Sequence, residues 1–247
     1  MTHPLNGKKA LVTGGSRGIG EAIARRFADD GASVAINYHR ASDRAEALVN
    51  RIEEAGGTAA AFRADIADTR QVAELFDRVL DRFGRIDILV NNAGIARYGP
   101  IADYREADFD RLFGVNVKGV FFACREAANR LADNGRVINI GSTVTRVMLP
   151  GYGAYAASKG AVEQITRVLA AELGPRGITV NAVCPGPVDT ELFREGKTQE
   201  QIDRLARMAA LNRLGDPGDV ADAAAMLAGE SGRWISGQCL YVNGGFA

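Results

Sequence analysis

A short apolar run, a glycine-rich turn and a helical stretch follow one another near the start of the chain. They constrain the fold more than any other feature. Lys9–Val12 reads as a strand, Thr13-Gly14-Gly15-Ser16-Arg17-Gly18-Ile19-Gly20 as the turn, and Ile19–Asp30 as the helix. The same alternation then repeats along the chain. Ser33–Asn37, Thr58–Arg63, Ile86–Asn91, Arg136–Ile140, Thr179–Cys184 and Gln238–Val242 read as strands. Asp43–Ala55, Thr69–Phe83, Asp108–Ala132, Tyr155–Leu173 and Asp219–Ala228 read as helices. Runs such as Ile86-Asp-Ile-Leu-Val90 and Val137-Ile-Asn-Ile140 are rich in Val, Ile and Leu, as strands covered on both faces are. Strands alternating with helices at this spacing predict an α/β fold, a doubly wound parallel sheet. No Pro-, Gly- or Ser-rich linker divides the chain, so residues 1–247 are expected to form a single domain.

The turn after the first strand has glycines at 14, 18 and 20. Glycine permits a tight turn and lets backbone approach a pyrophosphate, and the following helix offers free N–H groups and the positive end of its dipole. The spacing is Gly-x-x-x-Gly-x-Gly rather than G-x-G-x-x-G. The second strand ends Ala35-Ile36-Asn37-Tyr38-His39-Arg40, with no carboxylate to accept from a ribose 2′-hydroxyl. Arg17 and Arg40 stand near instead, and a guanidinium can bind a 2′-phosphate bidentately. The expected cofactor is therefore NADP rather than NAD. Arg40 also reads as an ordinary solvated loop residue.

Bulk properties exclude several other functions. The 30 basic and 30 acidic residues balance, and no run of like charge suggests nucleic-acid or membrane-surface partners. No window is long and apolar enough to span a membrane, and the first residues carry no signal-peptide pattern, so a cytoplasmic protein is expected. Cys124, Cys184 and Cys239 are far apart in sequence and odd in number, which gives no disulfide framework and no metal-ligand spacing. With two histidines in the whole chain, no metal site is expected.

Four segments, in order, resemble the short-chain dehydrogenase/reductases. They are Thr13–Gly20, Asn91-Asn92-Ala93-Gly94, Ser142 with Tyr155-Ala-Ala-Ser-Lys159, and Pro185-Gly186 leading to Thr190. The resemblance covers essentially the whole chain. It implies hydride transfer between a nicotinamide and a ketone or secondary alcohol, with Asn116, Ser142, Tyr155 and Lys159 as the catalytic set. Tyr155 and Lys159 are four apart on a predicted helix and share a face. A nearby ammonium would lower the phenol pKa from its usual value near 10. Tyr155 could then give or take the proton. By resemblance Lys159 also bonds the nicotinamide ribose, Ser142 holds the carbonyl oxygen, and Asn116 orders a water that continues the proton path. Tyr152 lacks a Lys four residues on and reads as a substrate-facing aromatic.

The same resemblance assigns cofactor contacts to Gly14, Ser16, Arg17, Gly18, Ile19, Gly20, Asn37 and Arg40 at the phosphate end, and to Asp65 and Ile66 beside the adenine. Asn92, Ala93 and Gly94 would line the ribose pocket, and Pro185, Gly186, Val188 and Thr190 the carboxamide end. The polar segment 189–215 lies at the carboxyl edge of the sheet, where such folds bind ligands. It reads as a substrate loop or lid, or as a plain surface excursion. Its stretch Ile202, Leu205, Ala206, Ala209 repeats at helical spacing. A β-ketoacyl-carrier-protein reductase is the alternative, with Arg176 a candidate contact for an acidic carrier. A nucleotide-binding protein without catalysis is less favoured, because all four catalytic residues are present. The helices near 108–132 and 155–173 and the C-terminal Val242–Ala247 are expected at the interfaces of a homotetramer, with small residues such as Ala127 and Ala128 facing outward.

Overall fold

The computed structural model describes residues 3–247. Seven parallel strands form one sheet in the order β3-β2-β1-β4-β5-β6-β7: β1 Lys9–Val12, β2 Ser33–Tyr38, β3 Thr58–Arg63, β4 Ile88–Asn91, β5 Arg136–Ile140, β6 Thr179–Pro185 and β7 Cys239–Val242. The predicted doubly wound α/β sheet is thus observed. Strand order reverses between β1 and β4, and that reversal opens the crevice in which such sheets bind ligands.

Alternate residues of each strand feed two separate cores. Ala10, Val12, Val34, Ile36, Ile88 and Val90 face one layer, where α1 (Gly18–Asp29) contributes Ile23 and Phe27, α2 (Ser42–Glu54) contributes Leu48, and α9 (Pro217–Ala228) contributes Val220 and Leu227. Leu11, Ala35, Leu89 and Val137 face the other, against Leu75 and Phe76 of α3 (Thr69–Phe83) and Val162 and Leu169 of α6 (Gly153–Leu173). Each fully buried Leu, Ile or Phe stabilises the fold by about 1.5–3 kcal/mol, so these paired layers hold the strand ends rigidly.

The expected long helix over 108–132 is in fact three pieces. α4 (Glu106–Phe113) runs into a π-helical turn at Gly114–Gly119 and continues as α5 (Val120–Arg130). Gly119 sits there because a Cβ would lie 2.4 Å from Ile66 Cγ2. The segment after β6, polar in sequence, contains two helices. α7 (Glu191–Arg194) is capped by Thr190, and α8 (Gln199–Met208) carries a reciprocal capping box between Thr198 and Gln201. A backbone bridge between Val188 and Gly215 ties the two ends of this segment together. Among the described residues no helix is long and apolar enough to cross a membrane.

Candidate active site

The turn after β1 is built to leave donors free. Gly14 and Gly18 have φ of +60° and +56°, a region unfavourable to side chains. A Cβ on Gly14 would lie 2.9 Å from Ala93 Cα, and one on Gly20 would lie 2.4 Å from Gly14 O. Arg17 at the N-cap of α1 makes no side-chain cap, and the first helical bond is Glu21 N–H to Arg17 O. The amides of residues 18–20 therefore have no helical partner and suit a pyrophosphate. This cradle fits the dinucleotide expected from the sequence.

Several residues assigned to cofactor contact also hold the cradle. Asn37 is buried; its Oδ1 accepts from Gly14 N (3.2 Å) and its Nδ2 donates to Ala64 O (3.1 Å). Asn92 Nδ2 donates to the carbonyls of Thr13 and Gly14, both at 3.0 Å. Asp65 Oδ1 accepts from Ala67 N and closes the turn after β3, while Ile66 is buried against Gly119. Pro185 ends β6, and Gly186 packs so closely on Asn243 that a Cβ would lie 2.9 Å from its Cα. Val188 is buried, and Thr190 meets the cradle directly, its Cγ2 3.3 Å from where a Gly18 Cβ would stand.

The phosphate-end bases are exposed. Arg17 pairs with Glu191 at 3.4 Å and Arg40 stands at the end of β2. Sequence reasoning missed Arg44, on the first turn of α2, which meets the same Glu191 carboxylate at 2.8 Å. Only the fold brings α2 and α7 together, so no sequence signal could have found it.

The four predicted catalytic residues converge at the carboxyl end of β5. Ser142 follows that strand and caps the next turn by accepting from Val144 N (3.2 Å). Lys159 is buried, with Nζ donating to Ile140 O (2.7 Å) and lying 5.9 Å from the centre of the Tyr155 ring. Asn116 lies in the π turn, a conformation often found at functional sites. Its Oδ1 accepts from Ile95 N and its Nδ2 donates to Ile95 O, both at 2.9 Å, and also to Ser158 Oγ at 3.2 Å. Ser158 Oγ in turn donates to Tyr155 O (2.7 Å), so Asn116 joins the Gly94–Ile95 loop to the helix that carries Tyr155. Gly94 lies between them: a Cβ there would stand 3.4 Å from Asn116 Oδ1 and 3.8 Å from Lys159 Nζ.

Burial sets the electrostatics of Tyr155 and Lys159. Lys159 does not dominate the titration of Tyr155. Desolvation pushes the half-buried phenol up to about 12, with the Ser142 hydroxyl pulling the other way. Burial also pulls Lys159 down to about 8. Burial disfavours the charged form of both groups. At neutral pH the phenol keeps its proton.

Beside Tyr155 the site is walled by side chains on irregular segments. Tyr98 packs on Tyr152 with ring centres 4.3 Å apart and meets Tyr155 edge-on at 5.9 Å. Lys197, between α7 and α8, reaches over the Tyr98 ring at 4.7 Å. A cavity of about 390 Å³ lies beside them, lined by Val147–Pro150, Tyr152, Gly153 and Ala156. Arg176 is not a free basic group for a carrier protein: it pairs with Asp133 at 2.8 Å and donates to Ala128 O at 2.6 Å. Ala127, expected on an outer surface, is fully buried against the sheet; Phe121 and Val168 face outward instead.

A family model described as enoyl-(acyl carrier protein) reductase matches residues 14–247. Elsinochrome reductase 1 of Elsinoe fawcettii is 40% identical, over 98% of this chain and 96% of its own. A short-chain dehydrogenase/reductase of Serratia marcescens superposes with a TM-score of 0.95 at 45% identity, covering 99% of both chains. A short-chain dehydrogenase of Burkholderia cenocepacia, solved in complex with NADP, does so with a TM-score of 0.93 at 46% identity, covering 98% of this chain and 99% of that one.

Proposed function

The chain belongs to the short-chain dehydrogenase/reductase family, and from that premise we propose that it is an NADP(H)-dependent ketoreductase. The observation that carries this reading is the meeting of Ser142, Tyr155 and Lys159 at the end of β5, across the sheet's point of reversal from the glycine cradle. When bound, NADPH supplies the hydride. The chain's own residues do the rest. The Ser142 hydroxyl holds the carbonyl oxygen, and the Tyr155 phenol, which keeps its proton at neutral pH, donates to that oxygen as charge develops there. Lys159, still mostly charged at pH 7, is held by Ile140 O beside the ribose position. Asn116 fixes the loop and helix that frame the path by which Tyr155 regains a proton.

Two further parts belong to this reading. NADP is favoured over NAD by the absence of a carboxylate at the end of β2 and by Arg17, Arg40 and Arg44 at the phosphate end. The NADP found with the similar Burkholderia protein agrees with this preference. The segment 189–215 acts as a lid, tied to the cofactor pocket through Thr190.

The test is NADPH consumption against a panel of ketones and their secondary alcohols, with Tyr155→Phe alongside. Turnover should fall by about 10²–10⁴-fold in the variant, the usual worth of general acid–base catalysis, with NADPH binding retained. Near-normal turnover of Tyr155→Phe would remove it from the mechanism; NADPH binding with no turnover of any ketone would sink the activity. A carrier-linked β-ketoacyl substrate is the second reading, and Arg176, committed to Asp133, weighs against it.

Assembly as a homotetramer is proposed on the outward apolar groups Phe121, Val168 and Trp234, which are 54%, 58% and 95% exposed. Monomer mass by light scattering at micromolar concentration is the outcome that refutes it.

A further inference from the structure

The middle of α6, one turn past the proposed catalytic pair, carries a cluster the proposed reaction does not use. Glu163, one turn beyond Lys159, lies next to Cys184 of β6 and Cys239 of β7. A carboxylate oxygen and the two sulfurs all fall within 4.8 Å of one another. Glu163 and Cys184 are buried and Cys239 is half-buried, so the cluster has one side open to solvent. Glu163 is held firmly. Its Oε1 accepts from Thr145 Oγ1 (2.5 Å) and from the Tyr241 hydroxyl (3.1 Å).

A cation already leans into this cluster. Arg167 Nη2 donates to Glu163 Oε2 at 3.3 Å and to Cys239 Sγ at 3.6 Å. Its side chain is 40% exposed. Two thiols and a carboxylate around one point form a donor set suited to a thiophilic divalent ion. We propose that Glu163, Cys184 and Cys239 form a binding site for a zinc-class cation, with the Arg167 guanidinium as the group the metal displaces.

Distances favour a metal over a disulfide. Cys239 is in register with Ala182, two residues before Cys184. Parallel strands about 4.8 Å apart and rising about 3.3 Å per residue put such diagonal neighbours about 8 Å apart, wider than the roughly 4.4–6.8 Å that a disulfide spans. A tetrahedral zinc with bonds of about 2.0–2.3 Å holds its ligand atoms about 3.3–3.8 Å apart, so the three donors need to close by only about 1 Å. Binding releases the two thiol protons and leaves the ion facing two thiolates and a carboxylate. The ion's two positive charges then leave one negative charge over, on the side of the cluster open to solvent. A water completes the fourth position.

Cobalt(II) titration of the reduced full-length chain under nitrogen reads the site directly, because a bound cobalt thiolate absorbs in the near ultraviolet. One equivalent should bind per chain, and zinc should abolish the band. Cys239→Ser, at a half-buried position that accepts the change, should lose the band and weaken binding by at least about tenfold. Arg167→Gln should do the opposite and tighten binding several-fold, since it removes the competing cation. Two histidines and Cys124 are the remaining soft donors, and neither variant touches them. Absence of a thiolate band in the unaltered chain overturns the proposal. So does a band unchanged in Cys239→Ser, or weaker binding in Arg167→Gln.

Discussion

The cofactor edge and the substrate edge of the same sheet are held by different means. At the cofactor edge, backbone meets backbone. Gly14 approaches Ala93 Cα, Gly20 approaches Gly14 O, and buried Asn37 and half-buried Asn92 bond the turn from either side. At the substrate edge, side chain meets side chain: Tyr98 on Tyr152, Lys197 over Tyr98, and beyond them Met148, which is 99% exposed. A site made of backbone cannot move without moving the strands. A site made of side chains on loops can change shape while the strands stay still. The first arrangement suits a ligand that never changes, and the second suits one that does.

Three substitutions would break or sharpen this contrast. The largest effect is expected from Gly20→Ala. Its Cβ would meet Gly14 O and Asn92 Nδ2, both at 2.4 Å. Overpacking of this kind costs about 1–3 kcal/mol, so NADPH should bind about tenfold to a hundredfold more weakly and the melting temperature should fall. Calorimetry showing unchanged NADPH affinity would mean the cradle is softer than its contacts imply. Arg17→Ala comes next. The guanidinium is 57% exposed and has Arg44 beside it, so the loss should sit at the lower end of the range for a charge-assisted bond, about tenfold. That loss should fall on NADPH and spare NADH. Equal losses for both would show that Arg17 reads no 2′-phosphate. The smallest effect is expected from Lys197→Met. A cation–π contact from this half-buried lysine contributes at least about 0.5–1 kcal/mol, which should alter the ketone KM at least about two- to fivefold and leave NADPH affinity unchanged. A change in NADPH affinity instead would place Lys197 on the wrong side of the contrast.

The same division explains what could be read from the sequence. The five inner strands follow from apolar runs of strand length, because burial on both faces leaves a plain signature, while the partly exposed edge strands β3 and β7 follow from the alternation with helices. The fourth begins at Ile88 rather than Ile86, since Asp87 is used to accept from Lys9 N and so anchors the start of β1. The candidates Ser142, Tyr155 and Lys159 were legible because one strand end and one helix carry them, whereas Asn116 came from the family resemblance alone. The π turn was not. Gly114-Val-Asn-Val-Lys-Gly119 has no periodicity that separates it from ordinary helix, and it exists because Ile66, distant in sequence, packs on Gly119. Asn37 and Asn92 show a second limit. An asparagine that serves the backbone and one that serves a ligand look alike until their partners are known. Arg44, Lys197 and Tyr98 show a third, because each acquires its meaning from a residue on another element.

The bridge between Val188 and Gly215 has a consequence for how such a protein can diversify. Asp189 N–H donates to Gly215 O and Gly215 N–H donates to Pro187 O, so the segment leaves the sheet and returns to it at one spot. The entropy of closing such a loop grows only with the logarithm of its length. Helices could be lengthened, shortened or exchanged between those two anchors while the strands register no difference. The stretch from 189 to 214 is in this sense a detachable cassette, and grafting the corresponding stretch of a relative onto this scaffold should carry substrate preference with it.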